Sequence, residues 1–133
     1  MEIERRGFLW CLTGTVVGVM SAPAGPRGAN NMYGLIVKLT AAAGKRDEVI
    51  GALKESTRDM PGCLSYVIAE DPADENAIWV TEVWDSPASH DASLSLAPVK
   101  NAMVQVKPRI SNFERIAVTT PVACVGLRSA NAR

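Results

Sequence analysis

Two hydrophobic periods alternate along this chain. Tyr33 to Thr40 (Tyr-Gly-Leu-Ile-Val-Lys-Leu-Thr) is an apolar run with β-branched residues that predicts a strand, and Ala42-Ala43-Gly44 turns the chain out of it. From about Lys45 the period lengthens. Val49, Ile50, Leu53, Thr57 and Met60 mark one helical face, with Asp47 and Glu48 in the first turn, where the helix dipole favours acids. Pro61-Gly62 stops that helix. Cys63 to Glu70 predicts strand two, Asp71 to Asn76 a polar turn and Ala77 to Trp84 strand three, so strands two and three form a hairpin. Ser86 suits an N-cap, with Pro87 at the first helical position. Helix two is expected to run to about Leu96, with Pro98 breaking or kinking it before a second helical piece, Val99 to Val106. Pro108 ends that piece, and Ile110 to Thr119 predicts strand four.

The order βαββαβ is the ferredoxin-like arrangement, an α+β fold on an antiparallel sheet. The strands carry a second signal. In strand three Ile78, Val80, Glu82 and Trp84 point one way and Trp79 and Val83 the other. Strand two likewise sets Leu64, Tyr66 and Ile68 against Cys63, Val67 and Ala69. A half-exposed sheet alternates apolar with polar, whereas this one is apolar on both faces. Helices can cover one face, and a homodimer packed sheet to sheet is the simple cover for the other. Which face meets the helices stays open at this level.

The N-terminal residues differ in pattern from the rest of the chain. Glu4-Arg5-Arg6-Gly7-Phe8-Leu9 leads into an apolar run to about Met20, then Ser21-Ala22-Pro23-Ala24, which reads as an export signal over 1–24. The apolar run is shorter than the roughly 20 residues of a spanning helix. The paired arginines resemble a twin-arginine leader, with Glu4 and Trp10 as departures, so an exported, periplasmic protein is expected. An uncleaved N-terminal anchor is the alternative. Residues 25–31 read as a linker, 32–120 as the folded domain and 121–133 as a flexible tail. Beyond the leader the cysteines are Cys63 and Cys124, read as a core thiol and a surface thiol. Acidic and basic residues number 14 each, and aromatics make up 5%, so nothing points to nucleic acid or anionic lipid. A small apolar ligand or a protein surface is the better-suited partner, and no stable membrane span is expected in the mature chain.

The turn Glu82-Val83-Trp84-Asp85-Ser86-Pro87, with His90 shortly after, holds the only histidine of the chain. With Gly44-Lys45-Arg46-Asp47-Glu48, Pro61-Gly62-Cys63-Leu64-Ser65-Tyr66 and Glu70-Asp71-Pro72, it resembles the antibiotic biosynthesis monooxygenase domain, from about Met32 to Thr119. The resemblance implies a dimeric α+β barrel. It also implies a cofactor-free oxidation of a phenolic or quinol-type small molecule by O2, in which the substrate supplies the electrons. The superfamily includes haem-degrading enzymes, isomerases and members of other roles, so a non-oxidative isomerase-like enzyme or a small-molecule-binding module is the alternative. The haem-degrading branch uses an Asn, a Trp and a His at positions that align with Val37, Ser93 and Met103, none of which matches.

The chemistry implied needs a base, hydrogen bonds to a ring and a dry cavity. His90 suits the base, since its unperturbed pKa lies near neutrality, and it is one helical turn from Leu94. The bland reading of His90 is a hydrogen bond to the neighbouring strand or a turn cap. Glu82 is either a second base with a pKa raised by burial or half of a structural pair with Arg115 or Lys38. Trp84 shares the face of Glu82, and Tyr66 is either a donor to a ring oxygen or a core or interface residue. The expected site is therefore His90 and Glu82 as catalytic groups and Trp84, Tyr66 and Leu94 as substrate contacts. Met103 and Phe113 are most simply core. Arg109 and Arg115 either hold an anionic substrate or sit at the surface. No metal is expected, because one His, separated Cys and scattered carboxylates make no ligand set.

Overall fold

A computed structural model describes residues 31–123, 125 and 126. The leader expected over 1–24, nearly all of the linker, Cys124 and the tail beyond 126 lie outside the described residues. The elements are β1 (Tyr33–Ala41), α1 (Arg46–Ser56), β2 (Cys63–Glu70), β3 (Ala77–Trp84), α2 (Pro87–Ser93), α3 (Ala97–Val106), a 3₁₀ turn (Lys107–Arg109) and β4 (Ile110–Thr119). The four strands form one antiparallel sheet in the order β2-β3-β1-β4. This is the expected α+β, ferredoxin-like topology.

The helices settle which sheet face is covered. Leu35, Val37 and Leu39 of β1 and Ile78 and Val80 of β3 bury against Val49 and Leu53 of α1 and Val106 of α3. Tyr66, Glu82 and Trp84 share that inner face, as their register with β1 requires. On the outer face one row crosses the whole sheet, Ala117–Ile36–Thr81–Val67. Within one chain Val67 and Thr81 are exposed there, while Ile36 and Ala117 are half-buried.

Three local expectations are corrected. Helix α1 ends at Ser56, not near Met60. The hydroxyls of Ser56 and Thr57 donate to the carbonyls of Leu53 and Lys54, which closes the last turn. The second helical region breaks after Ser93, with Pro98 inside the first turn of α3 rather than at the break. A proline in a first turn removes only an N–H that has no helical partner. Finally, a bulge between Cys63 and Ser65 sets Cys63 opposite Trp84, on the Tyr66 side and not against it.

The link from β2 to α2 depends on Gly62. Its φ is +82°, and a Cβ there would stand 2.5 Å from the Ser89 side chain and 2.8 Å from Asp85 Oδ1. Its carbonyl also accepts the Asp85 N–H at 2.9 Å. Gly62 thus lets the chain pass close under the start of α2. Gly62→Ala should cost about 1–3 kcal/mol, from the left-handed backbone and the overlap together. Denaturant unfolding checks this; a cost within error of zero would mean that Ser89 and Asp85 move aside freely.

Candidate active site

The end of β3 and the start of α2 build the site. Ser86 caps α2, its Oγ accepting the Ser89 N–H at 3.1 Å, with Pro87 in the first turn as expected. That start turns His90 inward, where it is 9% exposed. Its ring lies between two aromatics, 5.1 Å from Tyr33 and 5.6 Å from Trp84 in an edge-on contact. Tyr33 was not anticipated from the sequence. It meets His90 because β1 pairs Tyr33 with Trp84, a register between strands far apart in the chain.

Glu82 is buried beside it, also 9% exposed. It pairs with neither Arg115 nor Lys38. Lys38 lies on the outer face, 3.6 Å from Asp71, and Trp84 Nε1–H donates to Glu82 Oε2 at 2.8 Å. His90 Nε2 stands 3.9 Å from that same oxygen. Burial pushes the Glu82 carboxyl above the ordinary carboxylate range, and the Trp84 bond and the nearby imidazole offset this only in part. Tyr66 lies across from Glu82, and burial followed by the charges of Glu82 and Cys63 holds its phenol firmly protonated. It is therefore a donor at neutral pH.

On its other side His90 presents Nδ1 to Asp91 Oδ1 at 3.3 Å. An acceptor there favours the Nδ1–H tautomer and leaves the Nε2 lone pair toward Glu82. The gap of 3.9 Å is too wide for a direct hydrogen bond. One hydroxyl oxygen roughly 2.8 Å from each atom would bridge it, donating to Nε2 and accepting from the Glu82 acid that burial favours.

These groups line a cavity of about 260 Å³ between sheet and helices. Its walls are mostly apolar, from Leu35, Val37, Leu39 and Val80 below and Val99, Ala102 and Val106 above. His90, Glu82, Trp84, Tyr66 and Leu94 all line it, so the five expected site residues come together. Leu94 is 52% exposed and sits at the mouth. Met103 and Phe113 also line the mouth and are not core, because the edge strand β4 runs past the helices. Val37 and Ser93 line the cavity as well, so the positions of the haem-degrading set lie here without its side chains. Arg109 donates to Glu48 Oε2 and to the Gln105 carbonyl, which makes it structural. Among the described residues no three of His, Cys, Asp and Glu converge on a possible metal position.

The family model for antibiotic biosynthesis monooxygenases matches residues 32–105. The chain belongs to the antibiotic biosynthesis monooxygenase family. A Chloroflexus aurantiacus structure carrying the same family assignment is 52% identical, with a TM-score of 0.71 over 73% of this chain and 99% of that one. A Nitrosomonas europaea structure with that assignment has 17% identity and a TM-score of 0.65 over 73% and 96% of the two chains, which shows the fold alone. So does a Bacteroides thetaiotaomicron protein described as a possible oxidoreductase, at 22% identity and a TM-score of 0.59 over 66% and 98%. No curated protein matches the chain. Among the described residues no helix is long and apolar enough to cross a membrane.

The raised Glu82 pKa fixes a direction for stability. A carboxyl that is harder to ionise when folded contributes stability that is complete below its unfolded pKa and lost as pH rises through its folded pKa. Glu82→Gln keeps an acceptor for Trp84 and removes the ionisation. Its thermal stability relative to wild type should therefore rise from pH 4 to pH 8. A difference that shrinks over that range would mean Glu82 gains more from partners than it loses to burial.

Proposed function

We propose that this protein is a cofactor-independent monooxygenase acting on a phenolic or quinol-type small molecule with O2. The observation that carries the reading is the bridgeable gap between His90 Nε2 and Glu82 Oε2 in a mostly apolar cavity. A ring hydroxyl in that gap gives its proton to Nε2. Glu82, whose acid form burial favours, donates to that same oxygen, so the proton leaves without setting two anions side by side. Tyr66 donates to a ring oxygen, and the cavity walls keep bulk water from the electron-rich anion. The anion transfers electrons to O2. One oxygen atom ends as a ring carbonyl in place of two hydrogens, and the other leaves with those hydrogens as water. The substrate supplies all four electrons, so no flavin, haem or metal is required in this scheme.

The uncovered apolar row Ala117–Ile36–Thr81–Val67 supports a homodimer packed sheet to sheet, and the twin-arginine-like leader supports an exported setting. Thr81 is exposed at the centre of that row, so Thr81→Arg should leave the fold intact and shift micromolar protein toward monomer in sedimentation. A wild type that sediments as a monomer would sink the dimer.

Oxygen uptake by metal-free protein with a panel of quinols and polyphenols, corrected for spontaneous autoxidation, tests the reaction. Uptake should depend on the protein, and His90→Ala should lower turnover by ~10²–10⁴-fold. Uptake no faster than autoxidation across the panel would count against oxygenation, and full activity in His90→Ala would remove the ring from the mechanism.

A further inference from the structure

The cavity has a second polar end. Arg115 lines it from β4, on the far side of the sheet from β2. Arg46, Arg58 and Arg109, the other described arginines, pair with Glu70, Glu55 and Glu48 at 3.3, 2.7 and 2.7 Å. Arg115 alone among them has no carboxylate partner and no side-chain hydrogen bond.

A bulge aims it there. Along β4, Val118 faces Leu35 and Ala117 faces Ile36, and then the register slips so that Arg115 faces Val37 and Glu114 faces Lys38. Ile116 is the extra residue. In an unbroken ladder Ile116 would face Val37, and Arg115 would lie on the outer face opposite Lys38, cation beside cation. The slip instead sets Arg115 on the inner face and gives Lys38 an acidic neighbour. Bulges recur where a strand must re-aim a side chain.

We propose that Arg115 determines specificity by receiving the carboxylate of an anionic aromatic substrate, which deepens, and rests on, the oxygenase reading of this cavity. Glu82 lies on β3 and Arg115 on β4, two inter-strand spacings or roughly 10 Å apart across the sheet. A substrate carboxylate near Glu82 would meet only another buried carboxyl, whereas at Arg115 it meets a planar fork of donors that matches its two oxygens. The two ends orient one molecule, with its hydroxyl at His90 and Glu82 and its acid at the mouth. The substrate class is thus a hydroxylated aromatic acid whose carboxylate is remote from the reacting hydroxyl.

Anaerobic binding separates this from turnover. A dihydroxynaphthoate with its carboxylate on the ring remote from the hydroxyls is compared with the dihydroxynaphthalene lacking only that group. Quenching of tryptophan fluorescence reports binding, since Trp84 lines the cavity. Wild type should bind the acid ~10–100-fold tighter than the neutral compound, and less so at high salt. Arg115→Met should abolish the preference while leaving the neutral compound's affinity unchanged, and Arg115→Lys should restore it in part. Equal affinities in wild type, no binding of the acid, or a preference that survives in Arg115→Met would overturn the assignment. Absence of oxygen uptake with the preference intact would sink oxygenation and leave the acid-binding role standing.

Discussion

A carboxylate on the inner face of a sheet, under two helices, constrains everything around it. Glu82 loses its water there, and one indole N–H at 2.8 Å with one imidazole at 3.9 Å is what the fold gives back. Trp84 can donate because it stands two residues along the same face of β3. His90 can approach because Gly62 lets α2 begin close to the start of β2, and Ser86 and Pro87 start that helix at once. The bulge at Cys63 and the pairing of Tyr33 with Trp84 complete the surround. The partial compensation leaves Glu82 with a raised pKa, a state that a purely structural ion pair would avoid.

The two sheet faces divide the molecule's tasks. The inner face is apolar apart from the polar groups at the ends of one cavity. The outer face keeps its charged contacts to one side, where Lys38 lies over the Trp79 ring and pairs with Asp71, which Trp79 Nε1 also reaches at 2.9 Å. The remaining row is small, apolar or hydroxylated, the surface that a second sheet can cover without stranding a charge.

Much of this was legible in the sequence, for reasons that differ by element. The strands and the βαββαβ order follow from local periodicity, and the Ser86-Pro87 start follows from capping chemistry. Glu82 and Trp84 fall on one face by alternation alone, and His90 follows by its place in the next helix. Partners across the sheet were harder to read. Glu82 meets Trp84 and His90 instead of Arg115 or Lys38 because the register of β1 with β3 and β4 is set by tertiary packing. Two of the sheet's three register shifts invert the local alternation, moving Cys63 and Arg115 to the inner face, and no residue beside them announces the slip. Met103 and Phe113 look like core by type, yet the edge position of β4 leaves them at the mouth.

The claim at the centre is that the Glu82–His90 pair takes a proton from a bound ring hydroxyl. Anaerobic absorbance titration of a hydroxyaromatic bound to the protein measures this directly. Its hydroxyl should ionise at lower pH when bound to wild type than in free solution, and the shift should vanish in His90→Ala with the ligand still bound. A bound hydroxyl that ionises at its free-solution pH, or equally in both proteins, would contradict it.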